Sequence, residues 1–190
     1  MFPKKNKYGD IIFQDYPQFT PNLSPTEMFQ LGSFGGTYWR PIYSSVINKA
    51  LKNQHKKQKP WDISKLFIDI PENYLSMSKY DKNINKYKVK CGSSLEDWEE
   101  KGWIDSVDPY GWVQWYCYFY LGRRTYDDER QINRWLSFAG PKGRFRNNLI
   151  NKIKARESKA DDYTISPVIR QSLQHWGYYL TERDYQNQIM

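Results

Sequence analysis

Apolar positions in the second half of the chain repeat with helical spacing. Trp112, Trp115, Tyr116 and Phe119 fall at i, i+3, i+4 and i+7, and Val113, Cys117 and Tyr120 make the flanks of that face apolar too. This predicts a helix over 109–121, buried nearly all round, with Asp108 as N-cap, Pro109 at the first helical position and Gly122 as its stop. Thr125 with Asp128 three residues on forms a near capping box for a second helix, whose inner face is Ile132, Trp135, Leu136 and Ala139. Beyond the break at 140–143, Phe145, Leu149, Ile150 and Ile153 stripe a helix over 144–156. Ser166 and Pro167 open a last helix with Ile169, Leu173 and Trp176 inward and Arg170 outward.

The first half carries weaker signals. Residues 1–23 read as an extended arm, frayed over 1–7, whose Phe and Tyr lie across the body. Ser24, Pro25 and Glu27 start a short helix that Gly32 stops. A helix over 44–51 is expected with Val46, Ile47 and Leu51 inward, then a short helix over 60–67, a strand over 66–70 and a second strand over 87–91. Residues 73–90, rich in Lys, Asn and Tyr, read as a polar insertion or mobile loop, and Ser94 caps a helix that Gly102 closes. The predicted class is mainly α: a single compact helical domain over 24–190 with an extended N-terminal arm and at most two short strands.

Four segments carry a resemblance: FGGTY at 34–38, DPYGWVQWYCYFYLGRR at 108–124, RQINRW at 130–135 and RQSLQHWGY at 170–178. Together they resemble a family of small uncharacterised proteins of bacteria, fungi and large DNA viruses. The resemblance spans roughly 24–178, implies a shared architecture, and carries over no catalytic residue.

Charge narrows the function. The formal net charge of the 190 residues is +8, which favours anionic partners: nucleic acid, DNA or RNA, before a membrane surface or an acidic protein. Arg123, Arg124, Arg130 and Arg134 are expected at the rim of the two central helices. From 142 to 156 six basic residues, Lys142, Arg144, Arg146, Lys152, Lys154 and Arg156, occur with no acidic one, and Arg170 faces outward from the last helix. These eleven cations, supported by amphipathic aromatics, are the candidate nucleic-acid-binding residues.

Other chemistries have less support. Gly35 and Gly36 lack the lysine and serine of a phosphate-binding loop and are read as a tight turn packing Tyr38 and Trp39. Cys91 and Cys117 have neither metal-ligand spacing nor the density of a disulfide scaffold, so no metal, cofactor or disulfide is expected. Asp105, Asp108, Asp127, Asp128 and Glu129 form the one acidic constellation, which supports an alternative reading as a metal-dependent enzyme acting on nucleic acid. A third reading is a protein-interaction or virion-packaged structural component. With no apolar leader and no apolar run of membrane length, an intracellular setting is expected: cytoplasm, nucleus or virion.

Overall fold

A computed structural model describes residues 2–189. Among them the helices are α1 (Pro25–Gln30), α2 (Leu95–Glu100), α3 (Trp112–Tyr120), α4 (Asp128–Phe138), α5 (Arg144–Lys154), α6 (Pro167–Gln174) and α7 (Glu182–Ile189). One antiparallel hairpin, β1 (Ile42–Ser44) with β2 (Lys49–Leu51), pairs Ile42 with Leu51 and Ser44 with Lys49. The architecture is thus mainly α, with long irregular connections between the helices. No helix among the described residues is long and apolar enough to cross a membrane.

Helix α3 is the centre. Trp115, Tyr116, Cys117 and Phe119 are wholly buried, and Trp112, Val113 and Tyr118 nearly so. It begins at Trp112 rather than at Pro109, because the Asp108 carboxylate turns to Arg123 and does not cap. Gly111 makes the entry instead at φ +84°, where a Cβ would come within 2.8 Å of Ile104 Cδ1. The start of α4 follows the expected logic: the Asp128 carboxylate accepts from Thr125 N at 2.9 Å and from Thr125 Oγ1 at 3.0 Å.

The N-terminal segment belongs to the core. Phe19 is wholly buried and packs its ring against Trp115, Tyr116, Phe119 and Trp135 at centroid separations of 5.1–5.7 Å. Asn22 pairs with the backbone of Tyr179 through two bonds of 2.9 Å, stitching the arm to the chain's far end. The expected fraying over 1–7 does not extend to Lys5, whose ammonium meets Glu27 at 2.6 Å; Met1 lies outside the described residues.

Three local expectations are corrected. Residues 44–51 form the β1–β2 hairpin, since Asn48 takes the left-handed conformation of a turn and Val46 points outward. The segment 66–70 is not a strand: the amides of Phe67 and Ile70 bond locally to Ser64 and Phe67, winding Leu66, Phe67 and Ile70 into the core while Ile68 stays 77% exposed. No strand forms over 87–91 either, because Asn85 gathers that turn around its own side chain, bonding the amide of Tyr87 and the carbonyl of Val89.

The polar segment 73–90 is anchored against the 32–39 turn. Met77 N donates to Gly36 O at 2.7 Å and Asp81 N to Gly35 O at 2.9 Å. The glycine pair is a docking groove for this segment: a Cβ on Gly36 would lie 2.2 Å from Asn73 O, leaving no space there for an anion.

Emptying the centre of this core should be costly. Trp115→Ala removes a wholly buried indole and one of the two donors to Asp128 Oδ1, so it should lower stability by about 3–5 kcal/mol in urea unfolding.

Candidate nucleic-acid interface

The eleven predicted cations divide into two groups. Arg123 is ion-paired with buried Asp108. Arg124 grips Asp15 through two bonds of 2.6 and 3.2 Å and lies 3.8 Å from the Phe119 ring centroid. Arg130 closes on Asp127. Arg146 is buried 3.4 Å from Asp184. Arg170, expected outward, is 3% exposed and donates to the carbonyls of Ala160, Asp162 and Ile165 at 2.8–2.9 Å. The physical reason is that α6 is rotated: its inward face is Arg170, Gln171, Leu173 and Gln174, and the Arg170 and Gln171 donors serve backbone carbonyls of Ser33 and of 160–165. Arg123, Arg146 and Arg170 are internal struts, and Arg124 and Arg130 are tied down by carboxylates nearer the surface.

The remaining six sit differently. Lys142, Arg144, Lys152, Lys154 and Arg156 are exposed and form no salt bridge among the described residues. Arg144 and Lys152 stand at i and i+8 on one face of α5 with Asn148 between them, and Arg156 extends that line. Arg134 is the exception in character. It is half-buried, bonds only neutral acceptors, Trp103 O at 3.2 Å and Gln131 Oε1 at 2.9 Å, and its burial pulls its pKa down to about 10. It therefore stays charged at neutral pH without a carboxylate partner.

Arg134 and Arg144 both line a cavity of about 740 Å³, a volume within the usual range of ligand sites. One wall is a tier of rings: Phe145 on Phe138 at 3.9 Å and 12°, Phe138 on Trp176 at 4.9 Å and 23°, and Trp176 against Trp112 at 4.8 Å. Trp98 and Trp103 continue the aromatic lining, and the Arg134 guanidinium lies 5.4 Å from the Trp176 ring centroid and 5.8 Å from that of Trp103. Arg40 and Lys90 bring the lining cations to four, and no Asp or Glu lines the cavity. Each of the four resembling segments reaches it, through Phe34 and Tyr38, through Trp112, through Arg134, and through His175 and Trp176.

His175 sets the polarity of the inner wall. Its Nε2 is 2.6 Å from the carbonyl oxygen of Ser33, which only accepts, so Nε2 bears the proton and Nδ1 a lone pair. Burial drives the imidazole down to about 4, so it is neutral at physiological pH. Cys91 Sγ lies 3.8 Å from both ring nitrogens, off the lone-pair axis of either, and burial pushes its thiol up to about 11. This pair is not a thiolate–imidazolium nucleophile. Both cysteines are free.

The acidic constellation is dispersed. Asp105 accepts from Tyr126 Oη at 2.7 Å, Asp108 and Asp127 hold arginines, and Asp128 holds Thr125 and Trp115. Among the described residues no group of three or more His, Cys, Asp or Glu is placed to hold a metal ion. Arg40, Lys90 and the aromatic tier were not among the predicted site residues; the one sequence signal for them is that they sit in or near segments singled out for other reasons. No family model, no curated protein and no solved structure matches the chain.

Two buried groups titrate in opposite directions near pH 5. Burial raises the Asp108 carboxyl from 3.8 to about 6 despite Arg123, and its Oδ1 has no hydrogen-bond partner. A raised native value means that its stabilising contribution is present below pH 4 and lost as pH rises through 6. His175, lowered from 6.5 to about 4, contributes stability above pH 6.5 that is lost as pH falls toward 4. The two offset each other between pH 4 and 6.5. Asp108→Asn removes one of them, so urea unfolding should show the variant losing about 2 kcal/mol more than wild type between pH 7 and 4.5.

Proposed function

We propose that this chain binds nucleic acid without catalysing a reaction on it, holding phosphates on the free cations of α5 and at the mouth of the aromatic cavity. One observation carries the reading. Of the eleven predicted cations, the six left without a carboxylate partner and not buried against carbonyls lie on and beside α5 and at a cavity lined by four cations and no carboxylate. An anion meets no repulsion there, and aromatic faces stand beside it. That combination suits a phosphate next to a base or sugar. The dispersal of the acidic residues into ion pairs and caps favours binding over metal-assisted phosphodiester hydrolysis.

Arg123, Arg124, Arg130, Arg146 and Arg170 add little to such a surface, since a cation already neutralised by a carboxylate, or buried against carbonyls, releases no counterion when DNA arrives. Lys142, Arg144, Lys152, Lys154 and Arg156 remain. Five phosphate contacts give a log affinity against log salt slope of about −4 to −5 on duplex and about −3 to −4 on single strands.

Fluorescence anisotropy at a series of salt concentrations tests this. Lys152→Glu, Lys154→Glu and Arg156→Glu combined should reduce the slope to about −1 to −2 and weaken binding to every sequence alike. Wild-type binding that is absent at low salt, or indifferent to salt, contradicts the reading.

A further inference from the structure

Resting on the nucleic-acid reading, we propose that the cavity seats one base of a single strand, unstacked from its neighbours, with the adjoining phosphate held between Arg134 and Arg144. The near-parallel arrangement of Phe145, Phe138 and Trp176 is a column of ring faces to which a planar heterocycle adds by the same offset stacking. Trp103, 41% exposed, offers a second face across from Arg134. An aliphatic ligand gains burial from such walls but no stacking, and it leaves four cations without a counter-charge.

Arg134 is the most direct sign of an anionic occupant. A half-buried guanidinium bonded only to neutral oxygens loses much of its hydration without recovering an opposite charge. A phosphate restores that charge. Arg144, exposed at the first turn of α5 and 5.3 Å from the Phe145 ring centroid, stands where the same phosphate emerges toward the basic helix face.

The Nδ1 lone pair of His175 is a polar feature of the lining that only accepts, beside hydroxyls such as those of Ser94 and Ser172. With Nε2–H committed to Ser33 O, Nδ1 accepts a hydrogen bond and cannot donate one, so the occupant presents an N–H edge. Each of the common nucleobases carries such an edge on its pairing side. In a duplex that edge is already bonded and the ring face is already stacked, which makes single-stranded nucleic acid the occupant.

The test compares five probes on the full chain: a mixed-sequence single-stranded oligonucleotide, its duplex, an abasic strand with the same number of phosphates, a free nucleoside monophosphate as competitor, and poly-glutamate. The intact strand should bind about 5- to 100-fold more tightly than the abasic strand, the effect of stacking one base. Trp103→Ala, at a position 41% exposed, should erase most of that difference, whereas Arg134→Gln, which removes a phosphate partner, should weaken intact and abasic strands alike. The combined Lys152, Lys154 and Arg156 reversal should weaken intact and abasic strands equally and preserve it. Circular dichroism of each variant confirms an unchanged fold, and Trp103→Leu repeats the test should the alanine variant fail to fold.

Equal affinity for intact and abasic strands, with salt dependence retained, overturns the base pocket and leaves the nucleic-acid reading standing. A base preference that survives Trp103→Ala, or an Arg134→Gln variant that binds both strands as tightly as wild type, overturns it as well. Competition by a free nucleoside monophosphate at the concentration where the strand competes moves the site from strands to free nucleotides and contradicts the proposal. Poly-glutamate binding as tightly as the strand overturns both readings in favour of an acidic protein partner.

Discussion

The structure depends on burying α3 with the polar tips of Trp112, Trp115 and Tyr116 bonded. Trp115 Nε1 donates to Asp128, Trp112 Nε1 to Gln131 O, and Tyr116 Oη to Leu23 O. Around it, Trp135 Nε1 donates to Trp176 O and Tyr38 Oη to the carbonyl of Tyr110. Aromatics supply large buried area in a chain with few aliphatics, but each buried indole or phenol adds a donor whose neglect costs about 1–3 kcal/mol. The acceptors come from distant parts of the chain. This constraint therefore fixes the arm, the start of α4 and the turn after α6 against one helix, more firmly than apolar contact alone.

The same constraint explains where the positive charge goes. Long irregular connections leave carbonyls and carboxylates turned inward, and arginine, with five donors in a planar fork, answers several of them at once. Arg170 satisfies three carbonyls, and Arg183 bridges Asp10 and Asp184. An ion pair such as Arg123–Asp108 is weak support by itself because two charges lose water to form it; burial raises the Asp108 carboxyl in spite of its partner. Of the predicted cations, what remains for a ligand is the basic face of α5 with its flanks and Arg134 at the cavity, and for this reason the run of cations in the sequence overstated the binding surface.

Much of the fold was legible from periodicity. The burial of Trp112, Trp115 and Phe119, the box at Ser24, the cap at Ser94 and the helix at 144–154 follow from spacing and cap chemistry. The hairpin at 42–51 was not, because three-residue strands carry no period to distinguish them from a helix turn, and Asn48 gives the only turn signal. Arg170 was read outward since charge is normally solvated, and nothing local to α6 reveals that carbonyls of 160–165 close over it. The cavity was invisible for a similar reason. Its walls come from six separate stretches, and apolar periodicity does not say whether facing rings meet or leave a gap.

The chain's eight tryptophans supply a probe of the cavity. Indole N–H resonances of the ¹⁵N-labelled protein, followed during titration with a single-stranded oligonucleotide, report each ring separately. Trp98, Trp103, Trp112 and Trp176 line the cavity, whereas Trp115 and Trp135 are sealed in the core. A base seated in the cavity shifts the Trp98, Trp103, Trp112 and Trp176 signals in a saturable way while those of Trp115 and Trp135 hold still. Saturable binding with the four cavity indoles unmoved would contradict it.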